Sequence, residues 1–110
     1  MPPQMVGLKK NALRRLVSHL REDHCGNFQH LISRFIRDYG YSPEELRKRI
    51  LSKLKKGMTV DNYPTWHIDH VVPACRFRFT SYSDADFKRC FALENLQPLW
   101  ARENLNKGRR

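Results

Sequence analysis

Residues 66–73 read W-H-I-D-H-V-V-P. The stretch is aromatic and β-branched, and a proline closes it, so a short strand over residues 66–72 is expected. Side chains alternate along a strand. His67 and Asp69 should therefore share one face and His70 the other, unless a bend at Val71–Pro73 re-aims His70. Asp69 is a hard oxygen donor suited to Mg²⁺ or Mn²⁺. His70 belongs to the residue type whose reference pKa, about 6.5, lies near what a general base needs. An isolated Asp-His pair is most often structural, so the flanking sequence has to decide.

Upstream, three helices are legible. Leu13, Leu16, Val17 and Leu20 recur at helical spacing. From about Phe28 to Tyr39, Phe28, Leu31, Ile32, Phe35, Ile36 and Tyr39 keep the same period, and Gly40 is a natural residue to follow the helix end. Ser42-Pro43-Glu44-Glu45 predicts an N-cap serine, a proline at the first helical position and a glutamate closing a capping box. Leu46, Ile50, Leu51 and Leu54 form the apolar face of that third helix, which Gly57 is expected to end. Its bases, Arg47, Lys48, Arg49, Lys53, Lys55 and Lys56, follow its acids, an order that suits the helix dipole.

Downstream, residues 74–83 look irregular and 84–92 hold one or two helical turns. Residues 95–99 resemble a second strand, limited to an edge by Pro98. Residues 100–107 form a short helix ending at Gly108. The fold class is thus α+β and mostly helical: a helical part over residues 8–57, then strand–strand–helix over residues 58–110, in one domain of 110 residues.

Composition narrows the function classes. There are 21 Lys and Arg against 11 Asp and Glu, a formal charge of +10, which favours a polyanionic partner such as nucleic acid. Apolar runs are too short for a membrane span, and M-P-P-Q-M-V-G lacks the apolar region of a signal peptide. The three cysteines, Cys25, Cys75 and Cys90, form no C-x-x-C pair and are expected to be free, buried thiols in a reducing, cytoplasmic setting. His19, His24, Cys25 and His30 have spacings that fit no familiar zinc finger.

Residues 94–108 read E-N-L-Q-P-L-W-A-R-E-N-L-N-K-G. Together, W-H-I-D-H-V-V-P and N-L-Q-P-L-W-A-R-E-N-L-N-K-G resemble the ββα-metal motif of HNH endonucleases. The intervening order and the preceding L-R-K-R-I-L-S-K-L-K-K-G-M-T-V-D-N-Y-P-T-W are similar to small phage and prophage members. The resemblance runs over roughly residues 42–108.

This resemblance implies a divalent-metal-dependent DNA endonuclease, nicking or cutting both strands to leave 5′-phosphate and 3′-hydroxyl ends. Asp69 matches the metal-binding acid and His70 the general base. Asn95 matches the central asparagine that pins the histidine-bearing loop through backbone hydrogen bonds. Asn104 stands where many members carry a final histidine, making an H-N-N variant whose amide oxygen would ligate one Mg²⁺ or Mn²⁺. His67 is expected to support or pack rather than ligate. Many members also carry zinc-binding cysteine pairs. Trp100 and Glu103 stand where the second pair would be, so no structural zinc is expected. An apolar core around Trp66, Phe91, Leu96, Leu99 and Trp100 must take its place.

Arg76, Arg78, Arg102, Lys107, Arg109 and Arg110 are expected to contact phosphates of double-stranded DNA with weak sequence preference. Lys88, Arg89 and the bases of the third helix would assist. The setting implied is a bacterial or phage-infected cell. Two other readings stand beside this one. One is a basic nucleic-acid-binding module with a vestigial site. The other is an accessory subunit active only with a partner, such as a phage packaging or replication complex.

Overall fold

The computed structural model describes residues 3–21, 28–63 and 65–107. Three helices come first: α1 (Pro3–Arg21), α2 (Phe28–Tyr39) and α3 (Pro43–Ser52). Then follow β1 (Trp66–His70), α4 (Ala85–Cys90), β2 (Leu96–Trp100) and α5 (Ala101–Lys107). Single 3₁₀ turns at Val60–Asn62, Ala74–Arg76 and Leu93–Asn95 shape the connections. The fold is α+β and mostly helical, with one two-stranded antiparallel sheet among the described residues. Among those residues, no helix is long and apolar enough to cross a membrane.

Local sequence explains where α3 starts. Ser42 Oγ accepts from the Glu45 N–H at 3.1 Å, and Glu45 Oε2 accepts from the Ser42 N–H at 3.2 Å. This reciprocal pair satisfies two amide donors that the first turn would otherwise leave open. The helix stops at Ser52 rather than at Gly57. Lys53 caps it, and Gly57, at φ +93°, serves a later turn beside Trp100. Leu46 and Ile50 carry the burial, whereas Leu51 is 44% exposed because it lies about 100° around the helix from Ile50. Ile36 of α2 likewise faces solvent, while Phe35 and Tyr39 point inward. The first helix begins at Pro3, upstream of the expected residue 8. Gly40, at φ +88°, ends α2 with its N–H bonded to Ile36 O, as its position suggested.

One continuous apolar cluster joins these elements. Ala12, Leu16 and Leu20 from α1 meet Phe35 and Tyr39 of α2, Leu46 and Ile50 of α3, Trp66 and Ile68 of β1, and Phe87 and Phe91 at α4. The rings of Phe87 and Phe91 stack at 4.9 Å, and Tyr39 packs on both. Burying each such side chain contributes roughly 1.5–3 kcal/mol. The tyrosine hydroxyls stay satisfied: Tyr39 donates to Ala12 O at 2.8 Å and Tyr41 to Phe91 O at 2.6 Å. Of the residues expected to form this core, Trp66, Phe91 and Leu96 are fully buried and Trp100 packs against them. Leu99 is buried but stands outside the cluster, on the other side of the sheet.

The thiols divide. Cys90 is buried, and burial pushes its pKa up to about 12. Cys75 is exposed, contrary to the expectation that it would be buried, because it sits in the 3₁₀ turn after β1. Cys25 lies outside the described residues, as does His24, so the His-Cys pattern there stays an expectation. His19 packs edge-on against Phe35 at 4.7 Å.

Candidate functional site

The two strands pair Trp66 with Trp100, His67 with Leu99, Ile68 with Pro98, Asp69 with Gln97 and His70 with Leu96. Directly opposed residues in an antiparallel pair share a face. One face, carrying Trp66, Ile68, His70 and Leu96, lies on the core. The other carries His67, Asp69, Gln97 and Leu99. Helix α5 follows β2 without a spacer and turns back over this second face. Asn104 Nδ2 comes within 3.1 Å of His67 Nδ1. The amide donates in this pair where the His67 ring carries its proton on Nε2 and leaves Nδ1 as the acceptor.

Asp69 is 7% exposed. Gln97 Nε2 donates to its Oδ2 at 3.0 Å, directly across the strand pair. Gln97 was not singled out from the sequence. The strand register would have found it, since it is the cross-strand neighbour of Asp69.

His70 lies on the core face, 6% exposed, its ring edge-on to Phe91 with centroids 4.8 Å apart. The strand ends immediately after it, and Val71 and Val72 are exposed. Asn95 holds this exit. Its Oδ1 accepts from the Val72 N–H at 2.7 Å, and its Nδ2 donates to Val72 O at 3.2 Å and Cys90 O at 2.8 Å. The Asn95 carbonyl also accepts from the Val71 N–H at 2.9 Å. Asn95 is 7% exposed and its bond to Cys90 O is buried, where an unmet partner is costly, whereas its bonds to Val72 are part-buried.

The structure thus brings Asn104 to His67 and Asn95 to the segment after His70. It sets His70 on the opposite sheet face from Asp69, as strict alternation requires. Asp69 and Asn104 are hard oxygen-bearing donors associated with one face. Such a set suits a cation that keeps most of its waters and takes one or two protein ligands. Among the described residues, no group of three or more His, Cys, Asp or Glu side chains is placed to hold a metal ion.

The cations separate into two kinds. Arg76, Arg78 and Arg102 are exposed, the first two after β1 and the third on α5. Others are engaged within the fold. Lys88 Nζ donates to Arg37 O and Asp38 O, supplying partners for carbonyls at the end of α2. Arg89 pairs with Asp86 and Lys55 with Glu103. Arg49 reaches across to Leu96 O and Glu94 O. Lys88 and Arg49 therefore tie elements together, whereas the Arg89–Asp86 and Lys55–Glu103 pairs lie at the surface, where such pairs contribute little. Lys107 closes α5, but its side chain, with all of Arg109 and Arg110, lies outside the described residues.

In comparisons with known proteins, no family model, no curated protein and no solved structure matches this chain.

Proposed function

We propose that the protein is an HNH-type, divalent-metal-dependent DNA endonuclease. The observation that carries this reading is the strand–strand–helix unit itself. It gathers His67, Asp69 and Asn104 on one side, while Asn95 clamps the backbone immediately after His70. In that arrangement Asp69 and Asn104 would hold one Mg²⁺ or Mn²⁺. The ion supplies positive charge for the phosphate and the leaving 3′ oxygen. His70 is the general base in this reading. It lies on the opposite sheet face from Asp69, so it would have to reach the attacking water past the end of β1, where the strand stops and Val71 and Val72 are exposed. Asn95 holds the chain that carries His70, and Arg76, Arg78 and Arg102 meet neighbouring phosphates. The products carry 5′-phosphate and 3′-hydroxyl ends. A bacterial or phage-infected cytoplasm is the setting this chemistry suits.

One observation favours a second reading, a basic nucleic-acid-binding module without catalysis: the ring of His70 is buried and packed on Phe91. Supercoiled plasmid distinguishes the two. Incubated with the protein and Mg²⁺ or Mn²⁺, it should convert to nicked or linear DNA, and a chelator should stop the conversion. His70→Ala should still bind the plasmid but lose roughly 10²–10⁴-fold in rate. Intact plasmid with every divalent ion, alongside normal binding, would establish the module instead.

A further inference from the structure

We infer that Gln97 and His67 are a matched pair of positioning residues, each orienting one of the two oxygen donors on the α5 side of the sheet. The inference rests on the nuclease reading and extends it to two residues that touch neither phosphate nor water in that scheme.

The physical argument begins with torsions. The terminal χ angle of an aspartate or asparagine is broad and two-fold, so an unsupported carboxylate or amide samples many orientations. Gln97 Nε2 donates to Asp69 Oδ2 at 3.0 Å and so fixes the plane of that carboxylate. The donor sits directly across the strand pair, which makes its position a consequence of register.

Asn104 presents a different problem, because its two ends are nearly the same shape and opposite in polarity. Only the oxygen serves a cation. His67 Nδ1 accepts from Asn104 Nδ2 at 3.1 Å, which turns the amide oxygen away from the imidazole. With the ring proton on Nε2, the flipped amide would set its oxygen against the lone pair of Nδ1, acceptor against acceptor. In that tautomer His67 selects one amide orientation. Both supports come from β1 and β2, so the strand pairing sets their positions relative to each other. Outer supports of this kind are commonly worth about tenfold to a hundredfold in metal affinity.

The test is a Mn²⁺ titration of the full-length chain, read by loss of the free-ion electron paramagnetic resonance signal. Thermal midpoints and DNA binding in chelator are measured on the same samples. Gln97→Met, Gln97→Leu and His67→Ala should each weaken Mn²⁺ binding about tenfold or more. Chelator-state DNA binding should stay near wild type, while the Gln97 variants, which take this donor from the buried Asp69 carboxylate, should also melt somewhat lower. His67→Gln, whose side-chain carbonyl can accept from Asn104, should recover most of the loss. Asp69→Asn serves as the reference for loss of a direct donor. If Asp69→Asn loses Mn²⁺ while the Gln97 and His67 variants bind like wild type, the positioning roles are wrong and the nuclease reading stands. A His67→Gln variant as weak as His67→Ala overturns the acceptor role of His67. Absence of Mn²⁺ binding by the wild-type chain, with and without duplex DNA, overturns the positioning roles and the metal-dependent reading together.

Discussion

Asn95 and Val72 stand 23 positions apart and are joined by two hydrogen bonds, Val72 N–H to Asn95 Oδ1 at 2.7 Å and Asn95 Nδ2 to Val72 O at 3.2 Å. Asn95 directly precedes β2, so its side chain prolongs the β1–β2 pairing past the point where β1 ends. It adds to the backbone bond from the Val71 N–H to the Asn95 carbonyl in holding Val71–Pro73 beside the sheet. Replacing Asn95 by Ala should destabilise the fold by about 1–3 kcal/mol, chiefly because it leaves the buried carbonyl of Cys90 without this partner. Denaturant melts check this. Asn95→Ala should also cut plasmid cleavage at temperatures where it remains folded, since His70 directly precedes the freed segment.

The division of the cations into exposed and internally engaged groups predicts two kinds of variant. Arg76→Ala, Arg78→Ala and Arg102→Ala should each lower the magnitude of the log K against log salt slope by about 0.9 if each side chain contacts one phosphate. Arg49→Met should behave differently. Its guanidinium reaches the carbonyls of Glu94 and Leu96 at 3.4 Å, so its loss should register in thermal stability while the salt slope changes less. Fluorescence anisotropy over a salt series, beside thermal melts, separates the two sets. Equal slope changes for all four variants would count against the division.

The thiols should label in a defined order. Cys75 is exposed and Cys90 is buried, with its pKa pushed up to about 12. Only the thiolate attacks an alkylating reagent. Peptide mapping after brief iodoacetamide treatment at neutral pH should therefore find Cys75 modified and Cys90 untouched. Denaturation should expose Cys90. Equal labelling of both in the folded protein would show that the core around Phe87 and Phe91 opens readily and does not shield Cys90.

Asp84 sets an acid limit for one loop. Its carboxylate accepts from the backbone N–H groups of Thr80 at 2.7 Å and Ser81 at 3.2 Å, and these bonds hold its pKa below the usual aspartate value. A group with a lowered folded-state pKa stabilises the fold above its unfolded-state value. That contribution disappears as pH falls through the lowered, folded-state value. Asp84→Asn should remove this pH-dependent contribution, so wild type and variant should converge in stability on acidification. Amide hydrogen exchange at Thr80 and Ser81 gives the local readout, and a difference that persists unchanged into strong acid would exclude this linkage.

Much of the helical half is legible because its signals are short-range. The Ser42–Glu45 capping box and the Gly40 stop each depend on residues three or four positions apart, and each occurs in the structure. The spacing of Leu16, Leu20, Phe35 and Tyr39 predicts their burial for the same reason. The misplaced elements fail at long range. Gly57 reads as a helix end, yet a Cβ there would lie 3.5 Å from Trp100, a residue beyond the reach of any local pattern. Ile36 and Leu51 fit the helical period, but the period does not say how wide a stripe the neighbouring elements will cover.

The sequence by itself determined the order of helices and strands, the caps, the strand alternation that separates Asp69 from His70, and the excess of positive charge. Those properties follow from nearest-neighbour backbone preferences, side-chain periodicity and composition. Tertiary structure alone decided that Gln97 meets Asp69, that His67 meets Asn104, and that Arg49 and Lys88 tie elements together. These partners are 28, 37, 47 and 50 positions apart for the bonds concerned. Their meeting depends on strand register and helix docking, which arise only when the whole apolar cluster closes.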